Sequence, residues 1–297
     1  MTFKLTILGS SSALPTSKRF PAAHVLNVHE RFFLIDCGEG TQMQLRNNHI
    51  PFAKLNHLFI SHLHGDHYFG LIGLITTLGL LGRTSELHIY AHKDLQTITM
   101  SHLNFLLKRG EKLGYRLVFH TITPGIHEQI YEDSKVTIHT FPLVHRIESN
   151  GFLFREKPTL RNLIKTKIDF YQIPIAQLRG IKEGADFVTD EGKVITNKEL
   201  TTEPHKPRSY AYCSDTMYSE TLLDYVKDID VLFHESTFLD DMADRALETK
   251  HSTAKQAAEI AKKANVKKLL LGHFSSRYKD LSLFEREARE VFKESYA

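Results

Sequence analysis

The chain has 297 residues, 41% of them hydrophobic and 25% charged, with a formal net charge of +3. That is ordinary globular composition, long enough for one large domain or two small ones with a core that needs no disulfides. It excludes a membrane span, for which no apolar run approaches the ~20 residues needed, and its two cysteines exclude a secreted disulfide framework.

The opening "MTFKLTILGS" has too short an apolar part for a signal peptide and reads as a strand, so a cytoplasmic protein is expected. Further apolar runs rich in β-branched and aromatic residues follow as "RFFLIDCG", "HLFISH", "LHIYAH", "YRLVFHTI" and "KVTIHTF", then "SYAYCSD", "DVLFHEST" and "KKLLLGHF". Several are nearly continuous in apolar character, as strands buried on both faces are. Cys37 and Cys213 sit at the ends of two such runs and read as reduced core residues. Between the strands, "DHYFGLIGLITTLGLLG" is apolar nearly all round and predicts a buried helix. In "TAKQAAEIAKKA", Thr253 stands three residues before Gln256, a capping-box spacing, and Ala257, Ile260, Ala261 and Ala264 share a face. The terminal "SLFEREAREVFKESY" is amphipathic. Strands interleaved with helices predict an α/β sandwich, sheet inside and helices outside. From about Arg155 to Arg208 the rhythm changes to a Lys-, Arg- and Pro-containing stretch, read as an arm inserted into a single domain spanning residues 1–297.

Chemistry concentrates in "FISHLHGDHYFG", residues 59 to 70, which places His62, His64, Asp66 and His67 within six positions. Imidazole and carboxylate are the ligands of zinc and its neighbours, and manganese or iron accept them too. Residues two apart on an extended backbone point the same way, so His62 and His64 can face one ion. Asp66 and His67, at the turn into the next helix, can face a second. Other histidines, among them His88, His92 and His234, read as packing or surface residues.

The "SHLHGDH" block after an apolar strand resembles the signature of the metallo-β-lactamase superfamily. That resemblance implies a four-layer αββα sandwich with a dinuclear cleft. It also implies later ligands in the order His, Asp, His, for which "PLVHRIESNGF" offers His145, "YCSDT" Asp215 and "LLLGHFSSRY" His273. Together with "TILGSSSALPT", "FLIDCGEGTQMQL", "HEST" and "HSTAKQAA", the chain resembles the ribonuclease Z branch over nearly its whole length except parts of the arm. By that resemblance His62, His64 and His145 hold one metal, Asp66, His67 and His273 the other, and Asp215 bridges them, giving two zinc ions per subunit.

Two cations ~3.5–4 Å apart can share a water and lower its pKa toward ~7, so a bridging hydroxide would attack the phosphodiester. The resemblance implies that Asp66 is also the general base. The leaving oxygen needs a proton; His251, in "KHSTA", is the candidate acid, and Glu235, in "HEST", can orient and charge it. Arg277, in "SSRY", either contacts the substrate phosphate or is a plain surface residue. Further implied are a precursor-tRNA substrate cut after the discriminator nucleotide, a 3′-hydroxyl on the tRNA, a 5′-phosphate on the trailer, and a homodimer. The arm's Arg161, Lys165, Lys167 and Arg179 would then meet tRNA phosphates, although "YQIPIAQLRG" stands where such arms carry a Gly-Pro-rich element. Ligand spacing alone says only a hydrolase of a phosphodiester or similar ester. A phosphodiesterase for small substrates and a nucleic-acid-binding protein with structural metal are the alternatives.

Overall fold

Alternation along each strand decides which layer a side chain joins, and the runs read as strands supply side chains to two layers at once. The computed structural model describes residues 2–107 and 112–297. The chain divides into two compact units, Met1–Arg155 with Arg208–Ala297, and Glu156–Pro207.

In the larger unit a first sheet takes its strands in chain order: β1 (Phe3–Gly9), β2 (Ala23–Val28), β3 (Arg31–Ile35), β4 (Leu55–Phe59), β5 (Leu87–Ala91) and β6 (Leu117–Thr121). The first three pair antiparallel, and β3 to β6 run parallel. Parallel neighbours need crossovers, which here carry α1 (Thr41–Asn47), α2 (Gly65–Tyr68), α3 (Leu71–Leu80) and α4 (Asp94–Leu106). A second sheet begins with β7 (Glu128–Glu132), β8 (Val136–Leu143) and β9 (Ser149–Glu156).

The chain then passes through the smaller unit. Its elements are β10 (Asn162–Leu163), α5 (Lys165–Phe170), α6 (Ile175–Lys182), β11 (Phe187–Val188), β12 (Val194–Ile195), α7 (Asn197–Leu200) and β13 (Thr201–Thr202). This unit has its own core of Ile173, Ile181, Phe187, Ile195 and Leu200.

Back in the larger unit follow β14 (Ser209–Cys213), α8 (Leu223–Val226), β15 (Val231–Glu235), α9 (Ala243–Thr249), α10 (Ala254–Lys263), β16 (Lys268–Gly272), α11 (Ser282–Val291) and β17 (Ser295–Tyr296). The second sheet runs β17-β16-β15-β14-β9-β8-β7.

Between the sheets, Phe33, Phe59 and Tyr90 meet Phe152, Phe154, Tyr210 and Phe233. On the outer face of the first sheet Leu34, Leu58 and Ile89 pack with Leu71, Leu74 and Leu78 of α3. On the outer face of the second, Ala211, Leu232 and Leu269 pack with Ala257, Ile260 and Ala261 of α10 and Phe284 of α11. The layers are therefore helix, sheet, sheet, helix, the αββα sandwich expected from sequence. The capping box of α10 is formed by Thr253 and Gln256 as their spacing predicts. Both cysteines are free and buried. Among the described residues no helix is long and apolar enough to cross a membrane.

Two expectations need correction. The apolar stretch 66–82 is not one buried helix. It breaks at Phe69 and Gly70 between α2 and α3, where the Gly70 N–H donates to the Cys37 carbonyl at 2.9 Å rather than within the helix, and a Cβ on Gly70 would lie 2.1 Å from the Gly38 carbonyl oxygen. Only Leu71, Leu74, Ile75 and Leu78 of α3 are buried. The terminal amphipathic helix ends at Val291, and its last residues add the edge strand β17.

Candidate metal centre

Seven side chains from four segments meet at one edge of the sandwich, because strands running the same way deliver their C-terminal ends together. His62, His64, Asp66 and His67 follow β4, His145 follows β8, Asp215 follows β14 and His273 follows β16. They form two donor sets. In the first, His64 Nδ1 lies 3.0 Å from His62 Nε2 and 3.3 Å from His145 Nε2. Asp215 Oδ2 is 3.5 Å from His62 Nε2 and 3.6 Å from His145 Nε2. In the second, Asp66 Oδ2 lies 3.3 Å from His273 Nε2 and 3.5 Å from His67 Nε2. Asp215 Oδ1 is 3.1 Å from His273 Nε2 and 3.4 Å from His67 Nε2. Asp215 thus turns one oxygen to each set.

The donor chemistry fits divalent cations. His67 Nε2 and Asp215 Oδ1 are buried with no hydrogen-bond partner among the described residues, a costly state for polar atoms unless something charged fills the gap. Burial pushes His62 below its ordinary pKa and takes His64 and His145 down to about 4. Imidazoles held neutral in this way present the lone pair that a metal needs. Burial works against charge on Asp66 and Asp215, yet the surrounding imidazoles hold both carboxyls well below their usual range.

A second layer aims these ligands, as metal-bound histidines generally require. His67 Nδ1 is 2.7 Å from Asp36 Oδ2. The fully buried Asp36 also accepts from the Ser61 backbone N–H, the Ser61 hydroxyl and the Tyr212 hydroxyl at 2.7, 2.9 and 2.7 Å. His145 Nδ1 donates to the Lys250 carbonyl at 2.8 Å, and His273 Nδ1 lies 2.9 Å from the Thr237 hydroxyl. The Ala13 backbone N–H donates to Asp66 Oδ2 at 2.7 Å. Backbone strain is stored here too: His273 has φ +60° and Asp36 φ +56°, each costing about 1–3 kcal/mol, the kind of cost that persists where surrounding structure fixes a functional position.

Beside the second set, His251 Nδ1 lies 2.7 Å from Glu235 Oε1. Glu235 is fully buried and also accepts from the backbone N–H groups of Thr216 and Thr237 and from the Thr237 hydroxyl. Burial opposes protonation of His251, but the Glu235 carboxylate outweighs it and lifts the imidazole to about 9. A cleft of about 420 Å³ opens over these groups, lined by His64, Asp66, Asp215, His251 and His273.

Arg277 is exposed, its guanidinium 5.8 Å from the centre of the Phe238 ring, and it does not line the cleft. Arg146 does, beside the candidate ligand His145. In the smaller unit Arg161 bonds Thr201 and pairs with Glu203, and Arg179 pairs with Glu183 at 3.0 Å. Lys165 and Lys167 are exposed on α5. His234 is buried against the Glu235 carbonyl, His88 bonds His120, and His92 pairs with Glu148. Asp36 and Arg146 were not singled out by sequence reasoning. Asp36 lay within the quoted "LIDCG" block, and Arg146 adjoined a named ligand.

A family model described as Anti-Pycsar protein Apyc1 matches residues 3–171. Ribonuclease Z of Phocaeicola vulgatus is 49% identical over 98% of this chain and 93% of its own length. Ribonuclease Z of Bacteroides thetaiotaomicron is 50% identical over 99% of this chain and 92% of its own. Among solved structures, the short form of human tRNase Z is similar with a TM-score of 0.69 and 26% identity, covering 92% of this chain and 93% of that one.

Proposed function

This chain belongs to the ribonuclease Z family, with residues 3–171 also a member of the Apyc1 family, and is a metal-dependent endoribonuclease; from that premise we propose that it removes the 3′ trailer of precursor tRNA. The products would be a tRNA with a 3′-hydroxyl and a trailer with a 5′-phosphate. The observation that carries the hydrolytic part of the reading is Asp215, with one oxygen toward each of two donor sets and no hydrogen bond to Oδ1; the tRNA part rests on the ribonuclease Z relatives.

His62, His64 and His145 would hold one ion, Asp66, His67 and His273 the other, with Asp215 shared. Zinc suits this set of imidazoles and carboxylates, as manganese or iron would. Bound there, the two cations would polarise the phosphodiester and bring the pKa of a water from 15.7 toward ~7. Asp66, ionised and steadied by the Ala13 N–H, takes a proton from the attacking water. His251, charged at neutral pH, gives a proton to the departing 3′ oxygen. With Nδ1 engaged by Glu235, Nε2 is the nitrogen that donates. Glu235 is a positioning residue: it fixes the ring and keeps it charged.

In residues 156–207 nine Lys and Arg face eight Asp and Glu, so attraction to tRNA would come from placement rather than net charge. Exposed Lys165 and Lys167 are the candidates for phosphate contact, with Arg161 and Arg179 partly offset by their acidic partners. Arg277 would meet RNA beyond the cleft. The active form would be a cytoplasmic homodimer in which the arm of one subunit serves tRNA at the other's cleft. The same centre could serve small phosphodiesters, the second reading, because its ligands select the ester and not what flanks it.

The test is a labelled precursor tRNA incubated with purified protein, with and without chelator. Cleavage at one position after the discriminator, lost with chelator and restored by zinc, supports the reading. An intact precursor with metal-replete protein refutes it.

A further inference from the structure

The cleft holds a large apolar side chain that the hydrolytic chemistry leaves unused. Phe69 lines the same hollow as Asp66 and His251 and is the one aromatic ring there apart from the imidazoles. It remains 65% exposed, so it contributes little to the core. Its edge is nonetheless seated. A Cβ at Gly65 would come within 2.3 Å of ring carbon Cε2 and 2.4 Å of Cζ, so the ring edge lies directly against the Gly65 backbone. The Tyr68 ring meets it at 71° with centroids 5.1 Å apart. These contacts hold the ring at the cleft without covering it.

We propose that Phe69 is a stacking platform for a nucleobase flanking the scissile phosphate; the proposal rests on the reading of this centre as a ribonuclease. Every base has a π-face, so stacking on an aromatic side chain tolerates any sequence. That suits a substrate whose flanking sequence varies. An exposed phenylalanine has no attraction for a bare phosphate, so the platform selects nucleotides over small phosphate esters without a base. Ordering the neighbouring nucleotide also brings the phosphate to Asp66 and His251 in a reacting position.

The test uses metal-replete wild type, Phe69→Ala, Phe69→Leu and Phe69→Trp. Stacking on alanine-scanned platforms predicts that Phe69→Ala lowers kcat/KM on precursor tRNA roughly 5- to 150-fold. Phe69→Leu, which keeps apolar bulk, loses as much, and Phe69→Trp restores activity. The deficit vanishes on a precursor made abasic at the nucleotide just before or just after the cut. A short single-stranded RNA carrying 2-aminopurine reads the platform apart from turnover: wild type and Phe69→Trp quench its fluorescence, and the Ala and Leu variants do not. Equal quenching by all four proteins, or a deficit that persists on both abasic precursors, overturns the proposal. A wild type that quenches but leaves precursor tRNA intact supports the platform and refutes the ribonuclease Z reading.

Discussion

Replacing Glu235 by glutamine should move the pH dependence of cleavage more than its maximum. The Glu235 carboxylate is fully buried and lies 2.7 Å from His251 Nδ1. Burial alone would hold the imidazole neutral, and the carboxylate lifts it from an ordinary 6.5 to about 9. That difference is worth about 3 kcal/mol of preference for the charged acid. In Glu235→Gln the burial remains and the nearer carboxylate is gone; Asp215, 4.0 Å away, also raises the imidazole but would be offset by the cations it holds, so the acid should lose its proton at pH 6.5 or below. At pH 8 wild type is then mostly protonated, while the variant is roughly 3% protonated or less, a loss near 30-fold. At pH 6 the two should differ only a few-fold.

The assay is single-turnover cleavage of precursor tRNA from pH 5.5 to about 10, with metal content measured on the same samples. The alkaline limb should fall from about 9 in wild type to 6.5 or lower in the variant. Because the folded-state pKa of His251 is raised, its pairing stabilises the fold fully below pH ~6.5 and fades as pH rises through about 9. The glutamine amide must also face a backbone N–H, Thr216 or Thr237, which should cost about 1–3 kcal/mol of stability. Identical alkaline limbs, or equal losses at pH 6 and pH 8 with full metal, would refute His251 as the acid charged by Glu235.

Asp36→Asn removes the carboxylate that aims His67 and should weaken metal binding about 10–100-fold, read by competition with a chromogenic chelator; unchanged affinity would rule out that positioning. Asp66→Ala should lower turnover at least ~10²-fold, and wild-type turnover with full metal occupancy would exclude it as the base. Joining Arg155 to Arg208 by a short turn is sterically simple, because Arg155 and Ser209 are antiparallel partners and such pairs accept short hairpin loops. That deletion of residues 156–207 should abolish cleavage of precursor tRNA while sparing a small phosphodiester. Equal loss on both, in a folded protein, would count against tRNA binding by the arm.

The ligand candidates could be read from sequence because metal sites built on strand ends leave local marks: two pairs within "HLHGDH" and single residues just past apolar runs. The structure brings all seven within reach of two foci. Asp36 could not be found that way. Its meaning depends on His67, 31 residues on, and Tyr212, 176 residues on, which only the packed sheets bring together. Strands β2 and β9 escaped notice for a related reason. Each is almost wholly buried, yet each carries polar residues, His24 and Asn27 in one and Ser149 and Asn150 in the other. His24 is tolerable there because its Nδ1 meets the Tyr210 hydroxyl at 2.9 Å, a contact no local pattern announces. The helix break at Gly70 likewise depends on a distant partner, the Cys37 carbonyl that takes its N–H. Helix α10, by contrast, was legible end to end, since its cap and its apolar face are both local.

The most direct test of the paired-cation centre is anomalous scattering from crystals of zinc-loaded protein, recorded on either side of the zinc edge. Two peaks should flank Asp215, one among His62, His64 and His145 and the other among Asp66, His67 and His273. A single peak, or none, in fully loaded protein would contradict the account.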